Sequence, residues 1–100
     1  MTPKVLFKLH VTVNDYQNGS AVPSGKRWVI KHIYCCPTST NSCIASIQTS
    51  DAYQLINQGN LSVGETLDIG SIVLDATEYL KFKDEQDTYD VIAVGYEETV

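Results

Sequence analysis

One histidine and three cysteines are the residues of this chain best suited to bind a metal ion: His32, Cys35, Cys36 and Cys43. Thiolate and imidazole groups are the preferred ligands of Zn²⁺. Adjacent residues of an extended strand point to opposite faces of its sheet, so Cys35 and Cys36 are not expected to bind one ion. The paired Cys-x-x-Cys spacing of zinc sites does not occur either. We therefore expect no metal site and no cofactor. The cysteines are interpreted as small buried apolar residues, with a disulfide from Cys43 to Cys35 or Cys36 as the alternative.

The histidines and acids do not form a recognisable catalytic pattern. A nucleophilic mechanism needs a serine or cysteine held by a histidine and an acid. Neither His10 nor His32 lies beside a nucleophile motif in a glycine-rich turn, so both are expected to be structural residues on strands. The acids of residues 84–90 carry the oxygen ligands that Ca²⁺ prefers, but they lack the Asp-x-Asp-x-Asp-Gly pattern. We assign no catalytic residue and expect no enzyme activity, a small metal-dependent enzyme being the catalytic alternative.

Four tyrosines are expected to be exposed on strands or loops. Tyrosine provides a large contact area at low entropic cost, so such residues can stack on sugars or dock a protein. The four are Tyr16, Tyr53, Tyr79 and Tyr89.

The net charge of −5 is distributed unevenly along the 100 residues. Residues 1–50 contain five Lys or Arg and a single acid, whereas residues 51–100 contain eleven acids and two lysines. This asymmetry can support head-to-tail association of copies, although interleaving of the two halves in one sandwich is favoured. The acidic total argues against a nucleic-acid partner, which requires a basic stripe, and no apolar run is long enough to span a membrane.

The spacing of apolar residues predicts strands throughout. Val5, Phe7, Leu9 and Val11 alternate with exposed types, and turn residues such as Pro23 precede the next apolar run. The predicted strands cover residues 5–13, 27–36, 43–49, 51–57, 66–69, 72–74, 79–83 and 89–96. Residues 27–36 and 43–49 are expected to pair as an antiparallel hairpin, and residues 84–87 to form an acidic turn. The pattern predicts an all-β, antiparallel β-sandwich of jelly-roll or Ig-like type, with 7–8 short strands in one domain over residues 1–100.

Three segments resemble small β-sandwich structural proteins of tailed bacteriophages. They are AVPSGKRWVIKHIYCCPTST (residues 21–40), NLSVGETLDIGSIVLDATEYLKFKDE (residues 60–85) and YDVIAVGYEE (residues 89–98), and the resemblance extends over about residues 21–98. The shared features are a Val-Pro-x-Gly-Lys turn, a Gly-Glu-Thr turn before an apolar segment, and a closing Val-x-Gly-x-Glu tail. The resemblance implies a virion component, assembled in the host cytoplasm.

The resemblance implies a non-enzymatic virion protein that stabilises the particle by oligomeric adhesion, a capsid decoration or cement protein. The implied partners are other copies of the chain, a trimer among the options, and the major capsid protein or neck and tail proteins, with neither nucleic acid nor membrane. A neck, tail or baseplate adaptor is one alternative, and a carbohydrate- or receptor-binding module at the tail tip is another. Residues 1–13 lie outside the resemblance, and their apolar and polar residues alternate strongly, so we expect this N-terminal strand to contact a partner.

Overall fold

The computed structural model describes residues 2–100, over which the chain forms nine β-strands. Met1, which belongs to the predicted segment 1–13, lies outside the described residues. In chain order the strands are β1 (Lys4–Val11), β2 (Gln17–Asn18), β3 (Lys26–Pro37), β4 (Cys43–Thr49), β5 (Gln54–Leu61), β6 (Leu67–Asp68), β7 (Ile72–Leu74), β8 (Leu80–Gln86) and β9 (Tyr89–Thr99). No helix long and apolar enough to cross a membrane occurs among residues 2–100.

The strands form two antiparallel sheets, which confirms the predicted β-sandwich. The first sheet has the order β1-β9-β3-β6, with β7 also paired to β3, and the second has the order β2-β8-β4-β5. The predicted hairpin of residues 27–36 with 43–49 is wrong, since β3 and β4 lie in different sheets. Both edges of β3 are already occupied, by β9 on one side and by β6 and β7 on the other. The polar residues 38–42 therefore carry the chain across to the second sheet.

Three strand boundaries differ from the sequence prediction for local reasons. β1 ends at Val11 because the Gln17 side-chain oxygen accepts the N–H of Thr12 at 2.8 Å and that of Val13 at 3.3 Å. β5 begins only at Gln54, after a turn in which Ala52 has a φ of 68°. At the other end, β8 continues through the predicted acidic turn to Gln86.

Aromatic and branched side chains fill the space between the sheets. Trp28 is 4% exposed, and its ring lies 6.0 Å from that of Phe7, which in turn lies 6.0 Å from Phe82 of the opposite sheet. This cluster joins the two sheets because each ring comes from a different strand. Burial of such large side chains stabilises the fold by about 2 kcal/mol for each.

A β-bulge in β3 decides which side chains reach the outer face of the first sheet. The register with β9 shifts between Ile30 and His32, opposite Gly95. A Cβ at Gly95 would overlap the carbonyl oxygen of Val29 and lie 2.9 Å from the Cα of Ile30. Glycine therefore permits the close approach of the two strands. Beyond the bulge, Ile33 is buried in the core, whereas His32 is exposed.

Candidate protein-binding surface

Four connections lie together at one end of the sandwich, which we call the acidic end. They are residues 12–16, 38–42, 62–66 and 87–88. Hydrogen bonds join two of them to each other and a third to the adjoining strand β8: the Ser39 hydroxyl donates to Asp87 at 2.9 Å, and the Asp84 N–H of β8 donates to the Val13 carbonyl at 3.2 Å. These contacts hold the connections as one surface.

Most of the net negative charge of the chain is concentrated at this end. Six acids lie on its connections or on the adjoining strand ends: Asp15, Glu65, Asp84, Glu85, Asp87 and Asp90. Two lysines reach this end: Lys83 Nζ lies 3.2 Å from Glu85, and Lys81 Nζ lies 5.5 Å from the ring centre of Tyr16, the neighbour of Asp15. The end therefore has a net charge of −4, and the remaining six acids and five Lys or Arg leave a net charge of −1 elsewhere. The two halves of the sequence do mix in the sandwich, but their charges are separated by end.

Local contacts give the acids of this end different titration behaviour. The Thr88 N–H and the Ser39 hydroxyl donate to Asp87, and these hydrogen bonds lower the pKa of its carboxyl group. Burial raises the pKa of Asp84, and repulsion from Asp87 adds to the effect. Asp84 is therefore the first of the two to take up a proton on acidification.

The outer faces of the two sheets differ in polarity. On the first sheet, Val5, Val73 and Ile92 are 48%, 52% and 38% exposed, and half-buried Val94 lies opposite Val5. The outer face of the second sheet is mainly polar: Gln48, Gln54, Asn60, Lys81, Lys83, Glu85 and Gln86 lie on it, with Ile44. Exposed apolar residues that lie close together indicate contact with another protein more strongly than a polar sheet face does.

Both histidines lie on the outer face of the first sheet and pair with acids. His10 Nδ1 lies 2.5 Å from Asp90 Oδ1, and His32 Nδ1 lies 2.7 Å from Asp68 Oδ2. The His32 ring also stacks on Tyr34, with 5.4 Å between centroids. These pairs link β1 to β9 and β3 to β6 on the outer face of this sheet.

The three cysteines are free thiols and do not converge on one site. Cys35 and Cys43 are fully buried, whereas Cys36 is half-buried on the opposite side of β3 from Cys35. Burial raises the pKa of Cys35 to about 12 and that of Cys43 to about 11. Within the described part of the chain, no three His, Cys, Asp or Glu side chains are placed to hold a metal ion.

The tyrosines do not form the shared surface that the sequence suggested. Tyr53 is 71% exposed and Tyr16 is half-buried beneath the ammonium groups of Lys81 and Lys83, 5.5 and 5.7 Å from its ring centre. Tyr89 is completely buried, so its predicted exposure is wrong. Its hydroxyl donates to the Lys83 carbonyl at 3.0 Å, which satisfies the polar group inside the core.

Comparison with known proteins identifies the fold and not a family. No protein-family model and no curated protein sequence matches the chain. Among solved structures, the chain is similar to the NLP core of Drosophila, a nucleoplasmin core, with a TM-score of 0.54. The similarity covers 99% of this chain and 100% of that chain at 17% sequence identity. That protein forms pentamers and binds histones.

This comparison overturns the resemblance to phage virion proteins. The assignments as a capsid decoration or cement protein, as a neck, tail or baseplate adaptor and as a tail-tip receptor-binding module are wrong, as are the capsid and tail partners, the trimer and the virion location. The resemblance depended on turns such as Pro23–Gly25 and on alternating apolar residues. Any antiparallel sandwich needs the same turns and the same alternation, so these features do not distinguish one sandwich family from another.

Proposed function

We propose that this protein is a non-enzymatic histone-binding protein that assembles as a ring of five copies. The observation that carries the proposal is the shared fold, which extends over almost the full length of both chains, with the pentamer-forming, histone-binding NLP core. A histone-binding protein of this kind acts in the nucleus.

The charge distribution supports a basic partner. Histones are rich in Lys and Arg, and the acidic end offers a net charge of −4 in a single copy. Rotational symmetry turns the same end of every copy toward the same rim of a ring. Five copies would therefore present a net charge of about −20 on one rim, which attracts a basic chain over several ångströms at physiological salt.

Binding at this rim would depend on charge and on repetition more than on a deep pocket. A single exposed ion pair contributes little, so one acidic end alone would bind a basic segment weakly. Several ends held at fixed spacing raise the effective concentration for each further contact. The assembly is thus part of the binding mechanism.

Two measurements test the proposal on the full chain. Native mass spectrometry in volatile buffer should give a species of five copies. Fluorescence anisotropy with a labelled dimer of core histones should give saturable binding that weakens as NaCl rises, and lysozyme, a basic protein of different shape, serves as the control. A monomer at tens of micromolar, or no histone binding at about 50 mM NaCl, where screening is weak, would contradict the proposal.

A further inference from the structure

We infer that copies of this chain join head to tail, with the β1 side of one copy against the β5–β6 side of the next. This inference rests on the proposed assembly and names the two surfaces that form it. The β1 side comprises β1 with the neighbouring outer surface of β9, and the β5–β6 side comprises β5, β6 and the connections on either side of β5. Because β1 is the edge of the first sheet, and β5 and β6 lie at the opposite edges of their sheets, the two sides face away from each other.

The β1 side is apolar and carries the ammonium group of Lys8. Val5 and Ile92 are 48% and 38% exposed. Lys8 lies directly opposite Ile92 in the pairing of β1 with β9, and it has no ionic partner among residues 2–100. Lys4 lies at the other end of β1, 3.4 Å from Glu97. A groove of about 420 Å³ follows this side and is lined by Lys8, Leu9, His10, Asp90, Val91 and Ile92. Such a groove can receive side chains that project from a partner.

The β5–β6 side is apolar and negatively charged. Four exposed apolar residues project from it: Tyr53 (71%), Leu55 (41%), Val63 (48%) and Leu67 (38%). Its acids are Asp51, Glu65 and Asp68, and no Lys or Arg occurs between residues 51 and 80. The Lys8 ammonium group of the β1 side is thus complementary to these acids, and both sides offer apolar side chains that a neighbour would remove from water.

The complementary groups also lie at corresponding heights along the strands. Asp68 pairs with Tyr34, Tyr34 with Ile92, and Ile92 with Lys8, so Lys8 and Asp68 occupy the same row at opposite edges of the first sheet. A neighbour related by rotation about an axis along the strands would bring Lys8 level with Asp68 of the first copy. Toward the opposite end of the sandwich, Lys4 lies at the start of β1, and Asp51 lies in the turn before β5.

Pairing of two different surfaces is the geometry that closes a ring. A contact between identical β1 sides would place the Lys8 ammonium groups of two copies close together and would end at a dimer. The edge of β5 is also irregular, with register shifts against β4 between Ala45 and Ile47 and between Ile47 and Gln48. Bulged edges resist the addition of another strand, so the contact is made by side chains and not by a continuous sheet.

Two variants, each blocking one side, test this arrangement. Val5→Glu with Lys8→Glu places acids on the β1 side, and Leu55→Glu with Val63→Glu places further acids on the β5–β6 side. Each variant alone should change from five copies to a monomer in native mass spectrometry and light scattering. An equimolar mixture should form a one-to-one heterodimer, because each variant retains the intact surface that the other needs. Circular dichroism confirms folding, since all four residues are exposed.

The matched control is Lys81→Glu with Gln86→Glu, which makes the same charge change as the β1-side variant on the outer face of the second sheet and should remain a ring of five. If the wild type has five copies but either blocking variant does too, the inference is overturned while the proposed assembly stands. If the two variants are monomers and their mixture stays monomeric, head-to-tail contact is overturned. A monomeric wild type would overturn the proposed assembly itself, together with this inference.

Discussion

Removing two charges from the acidic end gives the sharpest test of histone binding. Asp15→Asn with Asp87→Asn changes charge with little change in shape. The carboxylate of Asp15 accepts the Tyr16 N–H at 2.8 Å and that of Asp87 accepts the Thr88 N–H at 2.9 Å, and an amide oxygen can accept both bonds. Asp87 has a φ of 67°, a left-handed conformation that asparagine tolerates well. The fold should therefore be retained.

The expected magnitude follows from the charge at this end. The two substitutions change its net charge from −4 to −2 in each copy. A single exposed charge pair changes affinity by roughly two- to threefold at low salt, so we expect about sixfold weaker histone binding for the double variant. At about 0.5 M NaCl the difference should fall below about twofold, because screening then acts over a few ångströms.

Anisotropy titrations with the labelled core-histone dimer at low and high NaCl measure this effect. The control is Glu78→Gln with Glu98→Gln, which removes the same charge near the opposite end of the sandwich. Native mass spectrometry should give the same copy number for both variants. Unchanged affinity in Asp15→Asn/Asp87→Asn would refute the reasoning. An equal loss of histone affinity in the control variant would show that the affinity depends on the total charge of the protein and not on the position of the acids at the acidic end.

Gly95→Ala should lower the free energy of unfolding by about 3 kcal/mol in chemical denaturation, because its methyl group would overlap the β3 backbone; a loss below about 0.5 kcal/mol would contradict this. Burial raises the pKa of Cys35 to about 12 and that of Cys43 to about 11, so only Cys36 should react quickly with a disulfide reagent at pH 8. A second thiol that reacts quickly in the folded protein would contradict this prediction. A neighbouring indole N–H and Lys4 lower the pKa of Glu97, so its ionised form stabilises the fold above its usual pKa of 4.5. Glu97→Gln should therefore be less stable than the wild type at pH 7, and the difference in unfolding free energy should disappear as the pH falls through the lowered pKa; a difference that persists at pH 2 would argue against this.

The strands were largely predictable because their apolar residues follow a simple period. The observed β4 has the predicted bounds, Cys43–Thr49, and β9 begins at the predicted Tyr89. Period-two alternation depends only on neighbouring residues, so it can be read along the chain. Strand ends were less predictable, because the end of β1 depends on the Gln17 side chain folding back on it.

The candidate surface was less predictable than the strands. The acids of residues 84–90 were noted as one group, but Asp15 and Glu65 are far from them in the sequence. The order of the strands carried a usable signal, because successive strands run in opposite directions and alternate connections therefore lie at the same end of a sandwich. Using this signal to group the acids requires knowing which connections cross between the sheets. The predicted hairpin of residues 27–36 with 43–49 assigned one crossing connection to a single sheet.

The sequence by itself determined an all-β chain with antiparallel strands and a net negative charge, because these properties depend on residue types and on local alternation. Only the tertiary structure decided that β3 pairs with β9 and which β3 side chains lie outward after the bulge opposite Gly95. It also decided that the excess acid collects at one end of the sandwich. Strand pairing joins residues far apart in the chain, and the choice of partner depends on packing across two sheets. Local sequence carries little information about that choice, and the binding surface proposed for this protein depends on it.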